Sequence, residues 1–240
     1  MDKKVNYGID APGVIRNLLI IGLGLDVLLY FVPSFKVGNT VFDLSFSYIT
    51  GSIFCIGEGL LMIRYAKVGK FKQRDKILGM HEWKGNEKVL DIGTGRGLLM
   101  IGAAKKLSTG KSIGIDIWSK EDLSNNSKAN AEANAAAEGV SDKVEVQNQD
   151  ITKTSFADGE FDVIVSNLCI HNIGSKEGRK NACAEIARIL KSGGTAIISD
   201  FKNITEYSNN FKSLGLSVEK YGRNYLNTFP PLGILKISKN

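Results

Sequence analysis

One stretch limits what this chain can become: Val89-Leu90-Asp91-Ile92-Gly93-Thr94-Gly95-Arg96-Gly97. A β-branched and aliphatic run carries a carboxylate, glycines follow at alternate positions, and an apolar helix start comes next. Glycine permits positive φ and close approach of backbone to a ligand. A tight turn between a buried strand and a helix N-terminus is expected to aim unpaired backbone N–H groups at that ligand. A dinucleotide fingerprint needs a third small residue one place later, where this chain has Leu98. No Gly-Lys-Ser/Thr follows, which excludes a phosphate-cradling P-loop.

From about Lys76 onward, short strands alternate with helices, as βαβ units with a parallel sheet require. The expected strands are Lys88–Ile92, Ser112–Ile117, Lys143–Gln147, Phe161–Ser166 and Thr195–Asp200, with a closing pair at Ser217–Tyr221 and Leu232–Ile237. The expected helices are Leu98–Leu107, Ala129–Glu138, Lys176–Leu190 and Ile204–Leu214. Ser119-x-x-Asp122 has the form of a capping box. Asp116 stands at the end of the second strand, where the crevice beyond the carboxyl ends binds ligands. A carboxylate there is acceptor-only and takes two donors.

The Asp-x-Gly-x-Gly-x-Gly loop and the motifs after it resemble the class I S-adenosylmethionine-dependent methyltransferases, over roughly Asp75 to Asn240. The resemblance implies an α/β, Rossmann-like fold with a mostly parallel seven-stranded sheet, and S-adenosyl-L-methionine as cofactor. It places Asp91, Gly93, Thr94, Gly95 and Gly97 in the cofactor loop and gives Asp116 the ribose hydroxyls. Ile117 and Trp118 follow, Trp118 being as suited to simple packing as to stacking on the adenine. Asp150 accepts from the adenine amino group and Ile151 contributes a backbone N–H. Asn167 lies under the methionine end. The run Asn167-Leu168-Cys169-Ile170-His171-Asn172-Ile173 lines the methyl-transfer pocket, and His171 is either its base or a hydrogen-bonded loop histidine without chemistry. No Asn-Pro-Pro-Tyr-like run is present, and the acceptor class is a small molecule or lipid. Two other functions stay open: a cofactor-binding module without turnover, and a nicotinamide-dependent oxidoreductase, which Leu98 disfavours.

A chain of 240 residues holds one such domain plus an appendage. Cys55, Cys169 and Cys183 form no Cys-x-x-Cys pair, and His81 and His171 give no zinc spacing, so no metal is expected. Residues 1–13 read as a polar tail and turn. Two apolar spans, about 14–33 and 44–66, have the length a bilayer core needs, about 20 residues. Each carries one acid, Asp26 and Glu58. An acid at a helix centre costs roughly 2.5–3.5 kcal/mol on insertion scales, against about −0.3 to −0.6 for each large aliphatic residue. The first span outweighs its acid easily, whereas the second comes close to balance. Ser47, Gly51, Cys55 and Gly59 form a small-residue stripe suited to helix pairing, with Gly22 and Asp26 at the same spacing in the first span.

Lys3, Lys4 and Arg16 precede the pair, and Arg64, Lys67, Lys70, Lys72, Arg74 and Lys76 follow it, with only Lys36 between. The positive-inside rule then puts both termini and the catalytic domain, residues 76–240, in the cytoplasm. Residues 67–75 read as a basic connector held at anionic lipid, and nucleic acid is the weaker explanation of the same charge. The alternative is a soluble cytoplasmic protein whose helical hairpin covers the sheet. Oligomeric state and the acceptor's identity are not legible.

Overall fold

Val89 and Leu90 point to opposite faces of one strand, and the two faces of the molecule follow from that alternation. The computed structural model of the protein describes residues 5–119 and 121–240. Strands β3 (Lys88–Ile92), β4 (Lys111–Asp116), β5 (Val144–Asn148), β6 (Phe161–Asn167), β7 (Leu190–Asp200), β8 (Ser217–Asn224) and β9 (Leu232–Ser238) form one sheet in the order β5-β4-β3-β6-β7-β9-β8. β3 to β7 run parallel, and β9 inserts antiparallel between β7 and β8. This is the mostly parallel, Rossmann-like arrangement of the methyltransferase fold.

One face buries Leu90, Ile92 and Ile164 against α6 (Lys176–Ile189) and α7 (Ile204–Ser213), through Ile186, Ile189, Tyr207 and Phe211. The other buries Val89, Val163 and Val165 against Ile77 and Leu78 of α3 (Lys70–Leu78) and Leu99 and Ala103 of α4 (Leu98–Ala104). On another side of α4, Met100 and Ile101 meet Ala131 and Ala135 of α5 (Lys128–Ala137). Burying each large aliphatic side chain contributes about 1.5–3 kcal/mol, so the sheet positions the site rigidly. The cap of α5 is Ser127, whose hydroxyl accepts from the Asn130 amide at 3.3 Å; the Ser119 pattern does not start that helix.

The N-terminal spans are helices α1 (Pro12–Phe31) and α2 (Ser45–Arg64), joined by a β-hairpin of β1 (Ser34–Val37) and β2 (Thr40–Asp43) that the sequence did not announce. Gly22 packs on Ile56 so closely that a Cβ would lie 2.6 Å from its Cγ1, and Gly51 and Gly59 admit Leu25 and Leu19 in the same way. The helices pack on each other, and α1 buries only Ile15 and Gly22 of its own length. Ile20, Leu23, Phe46, Ile53 and Phe54 remain exposed, so the pair does not cap the sheet. Asp26 is exposed.

The stretch read as a connector, 67–75, is helical. α2 runs through a π-helical turn, Tyr65–Gly69, directly into α3, because Ile77 and Leu78 have core places to fill. Its charge is not a uniform solvated patch: the Lys70 side chain is 4% exposed and bonded at a distance from the surface. Lys3 and Lys4 lie outside the described residues.

Candidate active site

At the carboxyl ends of β3, β4 and β6 lies a cavity of about 270 Å³. Gly93, Gly95, Asp116, Ile117, Asp150, Ile151 and Asn167 all line it, so the structure brings these expected residues together. Asp91, Thr94, Gly97 and Trp118 do not reach its wall.

The glycine loop works differently from the sequence expectation. The Gly93, Thr94, Gly95 and Gly97 amides are engaged by the protein itself. The Gly93 and Thr94 amides donate to the Ile115 carbonyl at 2.9 and 3.0 Å, and the Gly97 amide donates to the Thr94 carbonyl at 2.8 Å. The Gly95 amide donates to Asp116 Oδ2 at 2.8 Å. Gly93 sits at φ +69°, and a Cβ there would collide with Cys169 Sγ, so only glycine lets the two loops meet. Asp91 is fully buried beneath the turn. Its Oδ2 accepts from the Thr94 hydroxyl at 2.8 Å and from the Met100 amide at 2.9 Å, which caps α4 from inside. Burial raises the Asp91 carboxyl to about 7, against those two hydrogen bonds.

Asp116 is already engaged by the protein. Besides Gly95, the Trp118 amide donates to its Oδ1 at 2.6 Å and Asn126 Nδ2 at 3.3 Å. A carboxylate offers about four acceptor sites, so one good site is free and a second opens if the long Asn126 contact yields. Trp118, at φ +62°, turns its indole away to donate to Asn148 Oδ1 at 2.5 Å.

The lining has a definite chemical character. Asp10, Asp116, Asp122 and Asp150 surround the cavity, and no Lys, Arg or His lines it among the described residues. Asn126 Oδ1 and Asn167 Oδ1 are buried acceptors without partners. Unsatisfied buried acceptors cost about 1–3 kcal/mol each, so the site favours a ligand rich in donors or carrying positive charge.

His171 stands on a 3₁₀ turn, Ile170–Asn172, between cavity-lining Cys169 and Asn172 but not in the wall itself. Its Nδ1 lies 2.8 Å from Asp200 Oδ1, ion-pair distance once the ring is protonated, although the ring N–H does not point along that line. Asp200 is 1% exposed and also accepts the backbone amides of His171 and Phe201, at 3.1 and 2.8 Å. The imidazole edge packs on Phe201 at 4.7 Å.

Residues from beyond the catalytic stretch complete the site. The segment before α1 is no free tail: Ala11 N donates to the Asp122 carbonyl at 2.8 Å, Ile9 N to Ser124 Oγ at 2.8 Å, and Asp10 pairs with Leu123 as a β-bridge. Lys70 Nζ clamps this strap, donating to the carbonyls of Tyr7 and Gly8 at 2.8 and 2.6 Å and approaching Asp10 Oδ2 at 3.3 Å. Burial pulls the Lys70 ammonium below its usual range while Asp10 opposes that shift. From the other foot of the hairpin, the Tyr65 hydroxyl accepts from Asn167 Nδ2 at 3.1 Å. Asp200 could have been found by the strand-end argument that found Asp116. Asp10 and Tyr65 carried no local signal.

The sheet order and this crevice define the fold of S-adenosylmethionine-dependent methyltransferases. A solved "SAM dependent methyltransferase" from Aquifex aeolicus superposes with a TM-score of 0.54 at 18% identity, over 70% of this chain and 96% of that one. Residues 89–194 match the family described as "Methyltransferase domain". The demethylmenaquinone methyltransferase of Bacteroides fragilis is 32% identical over 47% of this chain and 42% of its own. The ubiquinone/menaquinone biosynthesis C-methyltransferase UbiE of Bdellovibrio bacteriovorus is 27% identical over 64% and 58%. This chain thus spans about half the length of the curated relatives it matches.

Proposed function

We propose that this protein is an S-adenosylmethionine-dependent methyltransferase, anchored by its N-terminal hairpin with the catalytic domain cytoplasmic, and acting on a small lipid-like acceptor such as a quinone. The observation that carries the reading is the cavity's charge. Four carboxylates and two unpartnered amide oxygens suit a ligand with hydroxyls, amino groups and a cationic centre. The same lining opposes a nicotinamide dinucleotide. Its pyrophosphate needs free loop N–H groups or cations, and the Gly93, Thr94, Gly95 and Gly97 amides are engaged while Asp91 accepts from the Met100 amide at the start of α4.

Bound, the cofactor supplies an electrophilic methyl group on sulfur. Asp116 would hold ribose hydroxyls, Asp150 and the Ile151 amide would face the adenine, and Asn167, whose Nδ2 donates to the Tyr65 hydroxyl, would lie under the methionine end. The residues then orient an acceptor in line, a contribution that can supply several kcal/mol by itself. His171, beside the cavity wall, would take the acceptor's proton, and the Asp200 carboxylate 2.8 Å from its Nδ1 would stabilise the resulting charge.

Two features support the membrane and acceptor parts. The hairpin leaves both apolar helices uncovered, with glycines at their contact. Relatives named for menaquinone and ubiquinone chemistry match this chain over 47% and 64% of its length. Thermal melting with each cofactor tests the first part: the methyl donor should raise the melting temperature and NAD should not. Carbonate at high pH tests the anchor, which should resist extraction. Comparing metabolites of a deletion strain with its parent identifies the acceptor.

A further inference from the structure

The turn between β8 and β9 pushes two apolar side chains into solvent, Tyr225 at 72% and Leu226 at 81% exposed. Single exposed apolar residues are ordinary, but this turn is built and placed. Within it, Asn227 N donates to Asn224 Oδ1 at 3.1 Å and Leu232 N to Thr228 Oγ1 at 3.0 Å. It leans on the end of the second apolar helix. Arg64 Nη1 donates to the Leu226 carbonyl at 3.1 Å, and the Asn227 carbonyl rests on Gly69, where any Cβ would collide. A side chain at position 69 would push the turn away.

Exposed basic residues surround the tip. Arg64 and Lys67 lie on the helix beside it and Arg223 two residues before Tyr225, and none makes a salt bridge among the described residues. Val68, 48% exposed, adds apolar surface next to them. Tyrosine and leucine ringed by cations, at the terminus of an apolar span, match the chemistry of a membrane–water interface. There aromatic rings sit at headgroup depth, and Lys and Arg reach anionic lipid from an apolar stem.

We propose that the Tyr225–Leu226 turn is a second membrane contact, docking on an anionic bilayer surface beside the hairpin. It rests on the membrane reading of that hairpin, and it sets the tilt of the catalytic domain where a hairpin alone leaves it free to lean.

The test uses full-length protein in vesicles of phosphatidylcholine with phosphatidylglycerol, with lipids brominated near the headgroup end of the chain. Leu226→Trp should show a blue shift and stronger quenching than the wild type, whose Trp83 and Trp118 set the background. Adding Lys67→Glu and Arg223→Glu should reduce that quenching, and so should omitting the anionic lipid. Melting temperatures verify that each variant is folded. Carbonate-resistant protein whose Leu226→Trp variant is quenched no more than wild type overturns the contact and leaves the anchor standing. Release by carbonate overturns the anchor and the contact together. If Leu226→Asp instead turns a dimer into a monomer with no lipid quenching, the turn meets a second copy of the chain and the proposal is wrong.

Discussion

The Asp116 carboxylate accepts the Gly95 amide at 2.8 Å, so the acid that ends β4 also holds the glycine loop in place. In the proposed reading, ligand recognition and loop geometry share one side chain. Asp116→Ala should weaken binding of the methyl donor by at least about tenfold, since hydrogen bonds to a charged acceptor contribute about 1.5–3 kcal/mol each. Calorimetry on a variant with wild-type circular dichroism measures it. Unchanged affinity would remove Asp116 from the site.

Asp91→Asn tests the buried acid under the loop. The folded carboxyl titrates at about 7 and the unfolded one near 3.8, so between those values the folded state binds more protons. Stability from this group is fully present below pH 3.8 and is lost as pH rises toward 7, at up to about 1.4 kcal/mol per pH unit. The wild type should lose stability across that window by denaturant titration, and Asp91→Asn should flatten the slope. Equal slopes would mean that Asp91 stays ionised in the fold.

His171→Ala should lower turnover by about 10² while leaving cofactor affinity unchanged. Asp200→Asn should also lower turnover, because it removes the charge beside Nδ1. A variant turning over as fast as wild type would leave orientation as the whole mechanism.

Lys70→Met should release the strap. The Tyr7 and Gly8 carbonyls lose their donor, at about 1–3 kcal/mol for buried acceptors left unpaired. Hydrogen exchange at the Ile9 and Ala11 amides should rise sharply, and the methyl donor should dissociate faster. Unaltered exchange at those amides would show that the strap is held without Lys70.

What was legible in the sequence was local. The strand before Gly93 and the acid at position 116 announce themselves through alternation and turn chemistry within a few residues, and the sheet confirms them. The engagement of the loop amides was hidden, because their acceptor, Ile115 O, sits on another strand. Asp10 reaches the cavity only through pairing with Leu123, far along the chain, and its own neighbours read as a tail. Lys70 looked like one more surface cation among its neighbours, although its burial depends on those same distant contacts. A fragment beginning near Lys70 would therefore discard part of the cavity wall along with the N-terminal hairpin.

The strap before α1 and the turn after α2 are both fastened to the cavity rim, one through the Asp10–Leu123 bridge, the other through Tyr65 and Asn167. In the proposed membrane reading, a hairpin closed at both feet carries the catalytic domain along with the lipid as one body. For an acceptor dissolved in the bilayer, encounter then becomes a two-dimensional search. The rate of such an enzyme follows the acceptor's mole fraction among the lipids, and diluting the vesicles in buffer leaves it untouched.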